Sequence, residues 1–119
     1  MKGTCHCGAV ELSVELSDGL NTARRCDCTF CARRGAIAVS APLSGVQITK
    51  GAENLTLYTW GTGTAQHYFC KTCGIYTHHQ RRSNPNEFGI NVAILEGINP
   101  KDIENVPWTN GRHDHPSDR

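Results

Sequence analysis

Seven cysteines in three groups carry the clearest chemical signal in this sequence of 119 residues. The groups are Cys5 with Cys7, Cys26 with Cys28 and Cys31, and Cys70 with Cys73. Cysteines at such short spacings are typical zinc ligands: a closed structural site takes four, and an open catalytic site takes three protein ligands. The odd total argues against a fully paired set of disulfides. The sequence therefore predicts metal chemistry.

Adjacent glycines divide the cysteines into four and three. Gly8 follows Cys7 and Gly74 follows Cys73, whereas Cys31 has no glycine beside it. A glycine there lets the backbone bend, often with positive φ, and brings amide groups close to the sulfurs. We predict a structural zinc site formed by the outer cysteines: Cys5, Cys7, Cys70 and Cys73. It would fasten the N-terminal strand to a later hairpin; the alternative is four free thiols packed as small apolar groups.

The remaining trio could form an open metal site. Cys26 and Cys28 point the same way from a strand end, and Cys31 can approach from the following turn. A zinc with an open position could bind an incoming thiol or polarise a carbonyl oxygen. Arginine pairs on both sides would lower the thiol pKa values and attract an anion. These arginines are Arg24, Arg25, Arg33 and Arg34.

Other interpretations of these residues stay open at this stage. The trio could hold a second structural metal completed by His6, His67 or His79, or act as a metal-free redox group, and the arginines could be solvated strand ends. His113 and His115 could bind metal, although a polar tail is the simpler interpretation. Neighbouring His78 and His79 are expected to point to opposite faces of a strand. Five aromatics could line a pocket or pack in the core: Tyr58, Trp60, Tyr68, Phe69 and Phe88.

Composition limits the possible classes of function. The net charge is +1, without the basic excess of a general nucleic-acid binder, so no nucleic-acid partner is expected. No apolar run approaches the roughly 20 residues of a membrane helix, and the N-terminal residues lack the apolar stretch that a signal peptide contains. We expect a cytoplasmic protein with no membrane partner, in a compartment where thiols stay reduced.

The pattern of the chain predicts one mainly β domain over residues 1–119, with antiparallel strands, little helix and a loose tail from about residue 112. Residues 9–16 alternate apolar and polar side chains, as a half-buried strand does. Residues 20–28 are expected to return as a strand, and residues 55–69 to form a hairpin that turns at Gly61 to Gly63. Further short strands are predicted at 36–41, 46–49, 75–79 and 88–95. Helix is expected after Thr29 and over 99–106, where Asn99 can cap.

The three cysteine groups in order resemble a known family. The segments KGTCHCGAVELSVEL, RCDCTFCARRG, HYFCKTCGIYTHH and GINVAILEG are similar to those of the glutathione-dependent formaldehyde-activating enzymes, a family that includes the domain of centromere protein V. The combination of C-x-C-G, C-x-C-x-x-C and F-C-x-x-C-G is much more specific than any one part. The match covers roughly residues 2 to 111.

The resemblance implies a β-tent fold of antiparallel sheets around a structural zinc. By position, Cys5, Cys7, Cys70 and Cys73 match the structural ligands, and Cys26, Cys28 and Cys31 match a second, catalytic zinc site. The family's named reaction is a carbon–sulfur lyase reaction in reverse, the condensation of glutathione with formaldehyde to S-(hydroxymethyl)glutathione. One departure is Asn110, where many relatives carry aspartate.

Three functions follow from the sequence and the resemblance. The leading hypothesis is a zinc enzyme that joins glutathione, or a similar small thiol, to formaldehyde or another small aldehyde. The second is a glutathione-binding carrier without catalysis, since this condensation also proceeds uncatalysed in water. The third is a zinc-stapled module that binds another protein. No particular oligomeric state is predicted.

Overall fold

Short strands joined by turns make up most of the chain that the structure describes. The computed structural model describes residues 1–114. The strands are β1 (Lys2–Thr4), β2 (Glu11–Val14), β3 (Arg25–Cys26), β4 (Ala38–Pro42), β5 (Val46–Lys50), β6 (Leu55–Tyr58), β7 (Gln66–Cys70), β8 (Tyr76–Gln80), β9 (Glu87–Asn91) and β10 (Trp108–Thr109). The helices are α1 (Thr29–Arg34) and α2 (Gly111–Asp114), with 3₁₀ turns at Leu43–Gly45, Ala52–Asn54, Val92–Ile94 and Pro100–Asp102. The prediction of a mainly β fold with little helix is confirmed.

Two antiparallel sheets form the body of the protein. The first contains three strands in the order β1-β2-β5, and the second contains five in the order β4-β9-β8-β7-β6. The predicted hairpin is confirmed, since β6 and β7 pair antiparallel with Tyr58 opposite His67. A third pair departs from the antiparallel pattern: β3 runs parallel to β10, with Cys26 opposite Thr109. This pair brings the C-terminal segment against the middle of the chain.

The hydrophobic core joins the two larger sheets. On β2, Leu12 and Val14 are buried while Ser13 between them is exposed, which confirms the alternation predicted for this strand. They belong to one apolar cluster with Val39 on β4 and Ile90 on β9. The core therefore joins β2 of the first sheet to β4 and β9 of the second.

Three predicted elements are shorter than expected because turn chemistry competes with them. The strand predicted over 88–95 ends at Asn91, since a 3₁₀ turn follows in which the Asn91 side chain accepts from the Ala93 amide. Residues 20–28 form only the two-residue β3, since the chain before it turns: the amide of Asn21 donates to the carbonyl of Asp18. In the segment 99–106, Asn99 caps as predicted by accepting from the Lys101 amide, but the helix is a single 3₁₀ turn. Ile103 has an extended backbone, which ends the helical turn at Asp102, and Asn105 then has positive φ.

Gly51 offers a test of the packing between β5 and the N-terminal segment. Its φ is +77°, and a Cβ there would lie 1.9 Å from the carbonyl oxygen of Ala9. We expect Gly51→Ala to lower the free energy of unfolding by at least about 2 kcal/mol, because left-handed strain and a backbone clash add. Gly19→Ala is the matched control, since Gly19 also has positive φ but open space around it. Urea unfolding of both variants checks this, and equal losses would contradict it.

Candidate functional site

The four outer cysteines meet at one point, where the end of β1 faces the turn between β7 and β8. Their sulfur atoms all lie within 4.8 Å of one another. The Sγ of Cys7 is 3.7 Å from the Sγ of Cys5 and 3.7 Å from that of Cys70. In a tetrahedral zinc–thiolate site the sulfurs are about 3.8 Å apart, because each Zn–S bond is about 2.3 Å. The residues present therefore fit a closed metal site.

Backbone and side-chain donors surround these sulfurs in the way that metal thiolates require. Cys5 Sγ accepts from the Val10 amide at 3.4 Å, and Cys70 Sγ accepts from the Cys73 amide at 3.5 Å. Asn54 donates from Nδ2 to Cys70 Sγ at 3.4 Å. Burial raises the pKa of Cys73, but backbone hydrogen bonds outweigh it and lower the pKa to about 6. Sequence reasoning missed Asn54, which reaches the site from a separate 3₁₀ turn.

The central cysteines form a second cluster where β3 meets α1. The sulfurs of Cys26, Cys28 and Cys31 also lie within 4.8 Å of one another. Cys28 is the N-cap of α1, and its Sγ accepts from the Cys31 amide at 3.3 Å. Hydrogen bonds from the thiols of Cys28 and Cys31 lower the pKa of Cys26, while hydrogen bonding to Cys26 raises the pKa of Cys31. The three sulfurs are therefore close enough to be coupled through hydrogen bonds.

Within the described chain, no histidine nitrogen joins the trio. Although His67 and His79 face the same cavity, each has its Nδ1 engaged elsewhere, 3.2 Å from Arg34 Nη1 and 2.6 Å from the Tyr76 hydroxyl respectively. A group of three sulfurs leaves one of the four positions of a tetrahedral metal to a ligand from outside the chain. The donor set therefore fits an open metal site.

The C-terminal segment closes over the trio, and sequence reasoning did not anticipate it. Thr109, on β10, lies beside Cys26 and contributes to lowering its pKa. Gly111 packs directly on the cluster: a Cβ there would lie 2.5 Å from Cys26 Sγ and 2.8 Å from Cys28 Cβ. Only a residue without a side chain fits at this distance. Nothing local in the sequence connects Thr109 or Gly111 to cysteines that lie more than 80 residues earlier in the chain.

We expect Gly111→Ala to weaken metal binding by the trio at least about tenfold while the fold is retained. The added methyl group must displace Cys26 or the C-terminal segment, whereas the outer cysteines form a separate cluster. A competition titration of zinc against a chromophoric chelator measures the affinity of the weaker site. Gly97→Ala is the control for a destabilising glycine substitution away from the trio, since Gly97 has positive φ but open space around it. Unchanged affinity of the weaker site in Gly111→Ala would contradict the placement.

A cavity of about 240 Å³ opens beside the trio. Its walls come from β3, α1, β7, β8, the hairpin loop after β6, the loop after β8 and the C-terminal segment. The residues that line it include all three cysteines, His67, Tyr76 and His79, together with Trp60 and Asn110. The cavity therefore places a small ligand in reach of the trio's sulfurs.

Four arginines line this cavity: Arg24, Arg34, Arg81 and Arg82. Of the arginines singled out by sequence, Arg25 and Arg33 bind backbone carbonyls instead, those of Gly35 at 2.6 Å and Thr29 at 2.7 Å. Burial, and then the neighbouring charge of Arg81, lower the pKa of Arg24. Among the described residues that line the cavity there is no aspartate or glutamate. The site is electropositive, as predicted, but partly through arginines that the sequence did not indicate.

Arg34 connects the trio to the aromatic wall. Its Nη2 donates to Cys31 Sγ at 3.7 Å, and its guanidinium lies 3.6 Å from the centre of the Tyr76 ring. Since arginine only donates, Nδ1 of His67 is the acceptor of the bond from Nη1. Burial, and then the charge of Arg34, lower the pKa of His67 to about 3, so its imidazole is neutral. Arg34 thus orients a sulfur ligand and a ring together.

The remaining candidates from the sequence lie in other places. His78 and His79 point to opposite faces of β8, as predicted: His78 stacks on Tyr68, and His79 stacks on His67. Of the five aromatics, only Trp60 lines the cavity, while Phe88 packs edge-on against His78. The suggested pair of His113 and His115 cannot be placed, because His115 lies outside the described residues.

None of the described helices is both long and apolar enough to cross a membrane.

Comparison with known proteins identifies the family. The family model of the glutathione-dependent formaldehyde-activating enzyme matches residues 1–109 of this chain. A crystal structure of a Rhodobacter sphaeroides protein superposes with a TM-score of 0.90 at 71% sequence identity, covering 92% of this chain and 100% of that one. With two cysteine clusters able to hold metal, and a match over nearly its whole length, the chain belongs to the glutathione-dependent formaldehyde-activating enzyme family.

Proposed function

We propose that the protein is a zinc-dependent enzyme of the carbon–sulfur lyase type that condenses glutathione, or a related small thiol, with formaldehyde or another small aldehyde. The observation that carries this proposal is the three-sulfur cluster of Cys26, Cys28 and Cys31 in the wall of a cavity. Family membership supports the same reaction. The outer cysteines are assigned the structural zinc, and the trio is assigned the catalytic zinc.

The reaction is an addition and needs no oxidant. The thiol sulfur forms a bond to the aldehyde carbon, the carbonyl π bond breaks, and the thiol proton ends on the new hydroxyl oxygen. A zinc held by the trio would supply an open position that lowers the pKa of a bound thiol or polarises a bound carbonyl. The remaining contributions come from the chain's own residues.

These residues position the reactants and attract charged ones. Arg34 holds Cys31 and the ring of Tyr76 in place, so the trio keeps its orientation when a ligand enters. The guanidinium groups around the cavity raise the local concentration of an anionic thiol such as glutathione. The stacked rings of His67 and His79 form one flat wall of the cavity, against which a reactant can pack. Holding both reactants at one place accelerates a bimolecular addition by itself.

The test is the rate of condensation above the uncatalysed rate. Exchange between formaldehyde and its glutathione adduct can be followed at equilibrium by NMR with ¹³C-labelled formaldehyde. We expect the exchange rate to rise in proportion to zinc-loaded protein and to saturate with both reactants. A rate equal to that with an unrelated protein would refute the proposal. Saturable glutathione binding without any added rate would establish the carrier function instead.

A further inference from the structure

Two buried hydrogen-bond donors at the cavity lack an acceptor. The Nη2 of Arg24 and the indole Nε1 of Trp60 are almost fully shielded, and neither has a hydrogen-bond partner in the described chain. Both residues line the cavity that contains the cysteine trio. A guanidinium and an indole N–H can only donate, so only an acceptor can satisfy them. Buried donors in folded proteins are nearly always paired with protein, ordered water or a ligand, so each of these two donors needs an acceptor from outside the described chain.

Arg24 is fixed in place by residues behind the cavity wall. Its Nη1 donates to the Thr22 carbonyl and to Ser40 Oγ, both at 3.0 Å. Ser40 Oγ in turn donates to Glu87 Oε1 at 3.3 Å, and the same carboxylate oxygen accepts from Arg81 Nη1 at 2.5 Å. Glu87 therefore holds two arginines without lining the cavity itself. These contacts fix the Arg24 guanidinium, which lowers the entropic cost of binding an acceptor at its Nη2.

The charge of the cavity selects an anionic acceptor. Four arginines line it, and no acidic side chain lies among the described lining residues. Glu87 compensates for part of this charge through Arg81 and, by way of Ser40, through Arg24. A carboxylate is a small group that can accept from two separate N–H donors with its two oxygens.

We propose that Arg24 and Trp60 form a carboxylate subsite, and that one reactant is held there by its carboxylate beside the cysteine trio. The identity of that reactant rests on the function proposed above, whereas the binding of a carboxylate does not. The carboxylate belongs either to the thiol, as in glutathione, or to an aldehyde that is itself an oxo acid. In both cases the substrate is an anion, and uncharged analogues bind more weakly.

Binding can be tested without turnover, because the chain has two tryptophans. Trp60 lines the cavity, whereas Trp108 is 60% exposed and lies outside it. Zinc-loaded, ¹⁵N-labelled protein is titrated with acetate, and the two indole N–H signals are assigned with Trp60→Phe. We expect a saturable downfield shift of the Trp60 signal only. No saturable shift at Trp60, or equal shifts at both indoles, would overturn the subsite.

Kinetic arms then assign the carboxylate to one reactant. Trp60→Phe keeps a ring in place but removes the donor, and Trp108→Phe is the matched control. Each variant is assayed with two pairs of reactants. In the first pair, glutathione carries the carboxylate and formaldehyde is uncharged; in the second pair, the thiol N-acetylcysteamine is uncharged and the aldehyde glyoxylate carries the carboxylate. We expect Trp60→Phe to raise the KM of the carboxylate-bearing reactant about tenfold with kcat unchanged, whereas Trp108→Phe has no effect. A rise for glutathione assigns the thiol, and a rise for glyoxylate assigns an oxo acid.

The subsite and the proposed function fail in different ways. Turnover with no acetate-dependent shift at Trp60, and no change in either KM, would overturn the subsite and leave the condensation standing. A saturable shift without turnover would keep the subsite and refute the condensation.

Discussion

Cys70→Ser is expected to leave the protein without a cooperative unfolding transition. Cys70 is fully buried at the end of β7, and its sulfur accepts hydrogen bonds from Asn54 and the Cys73 amide. A structural zinc contributes about 10–16 kcal/mol to folding, whereas a domain of this size has a net stability of about 5–15 kcal/mol. Serine is a poor zinc ligand, so the substitution removes the free energy that zinc binding contributes to folding. That free energy is as large as the net stability of the whole domain.

Circular dichroism during urea unfolding measures this effect. Wild-type protein treated with a strong chelator should lose its transition in the same way, which separates metal loss from any local effect of the substitution. Cys31→Ser serves as the control, because it also removes one cluster sulfur, here a half-buried one, but belongs to the other cluster. A cooperative transition in Cys70→Ser near that of the wild type would mean that the outer cysteines do not hold the fold together.

Cys28→Ser is expected to lower turnover at least about 100-fold without unfolding the protein. Loss of an outer-shell partner of a metal ligand already costs 10–100-fold, so loss of a ligand should cost at least the upper part of that range. The fold is spared for a local reason: Cys28 is the N-cap of α1, and serine is among the preferred N-cap residues. Its hydroxyl can take over the hydrogen bond from the Cys31 amide.

The measurement for Cys28→Ser combines the NMR exchange rate with the unfolding curve. All seven cysteines belong to one of the two clusters, so the chain offers no neutral cysteine as a control. Lys71→Ser, at an exposed position outside the cavity, controls for the introduced serine. Undiminished exchange in a folded Cys28→Ser variant would show that the trio does not take part in the reaction.

The division of the cysteines could be predicted because its cause is local. Gly8 and Gly74 have φ of +82° and +77°, which confirms the positive φ expected after the second cysteine of each outer pair. The alternation on β2 and the hairpin of β6 and β7 were predictable for the same reason, since periodicity and turn residues lie within a few positions of each other. The parallel pairing of β3 with β10 had no such signal, because each strand has only two residues.

The cavity could be predicted only in part, because its wall is assembled from distant segments. Each arginine pair sends one member inward: Arg24 and Arg34 line the cavity, while Arg25 and Arg33 face backbone carbonyls. The positive charge of the site was expected. Which arginine of each pair lines the cavity, however, depends on the residues at which β3 begins and α1 ends. The contribution of Arg81 follows from its ion pair with Glu87 on β9, a contact that sequence spacing alone does not specify.

The most direct test of this account is the number of zinc ions bound by the reduced, metal-replete protein. Native mass spectrometry should find two zinc ions in the wild type and one in a folded Cys26/Cys28/Cys31→Ser triple variant, because only the outer cysteines then remain as a complete site. One zinc ion in both proteins would contradict the account, since the trio would then bind no metal and the catalytic role proposed for it would fail.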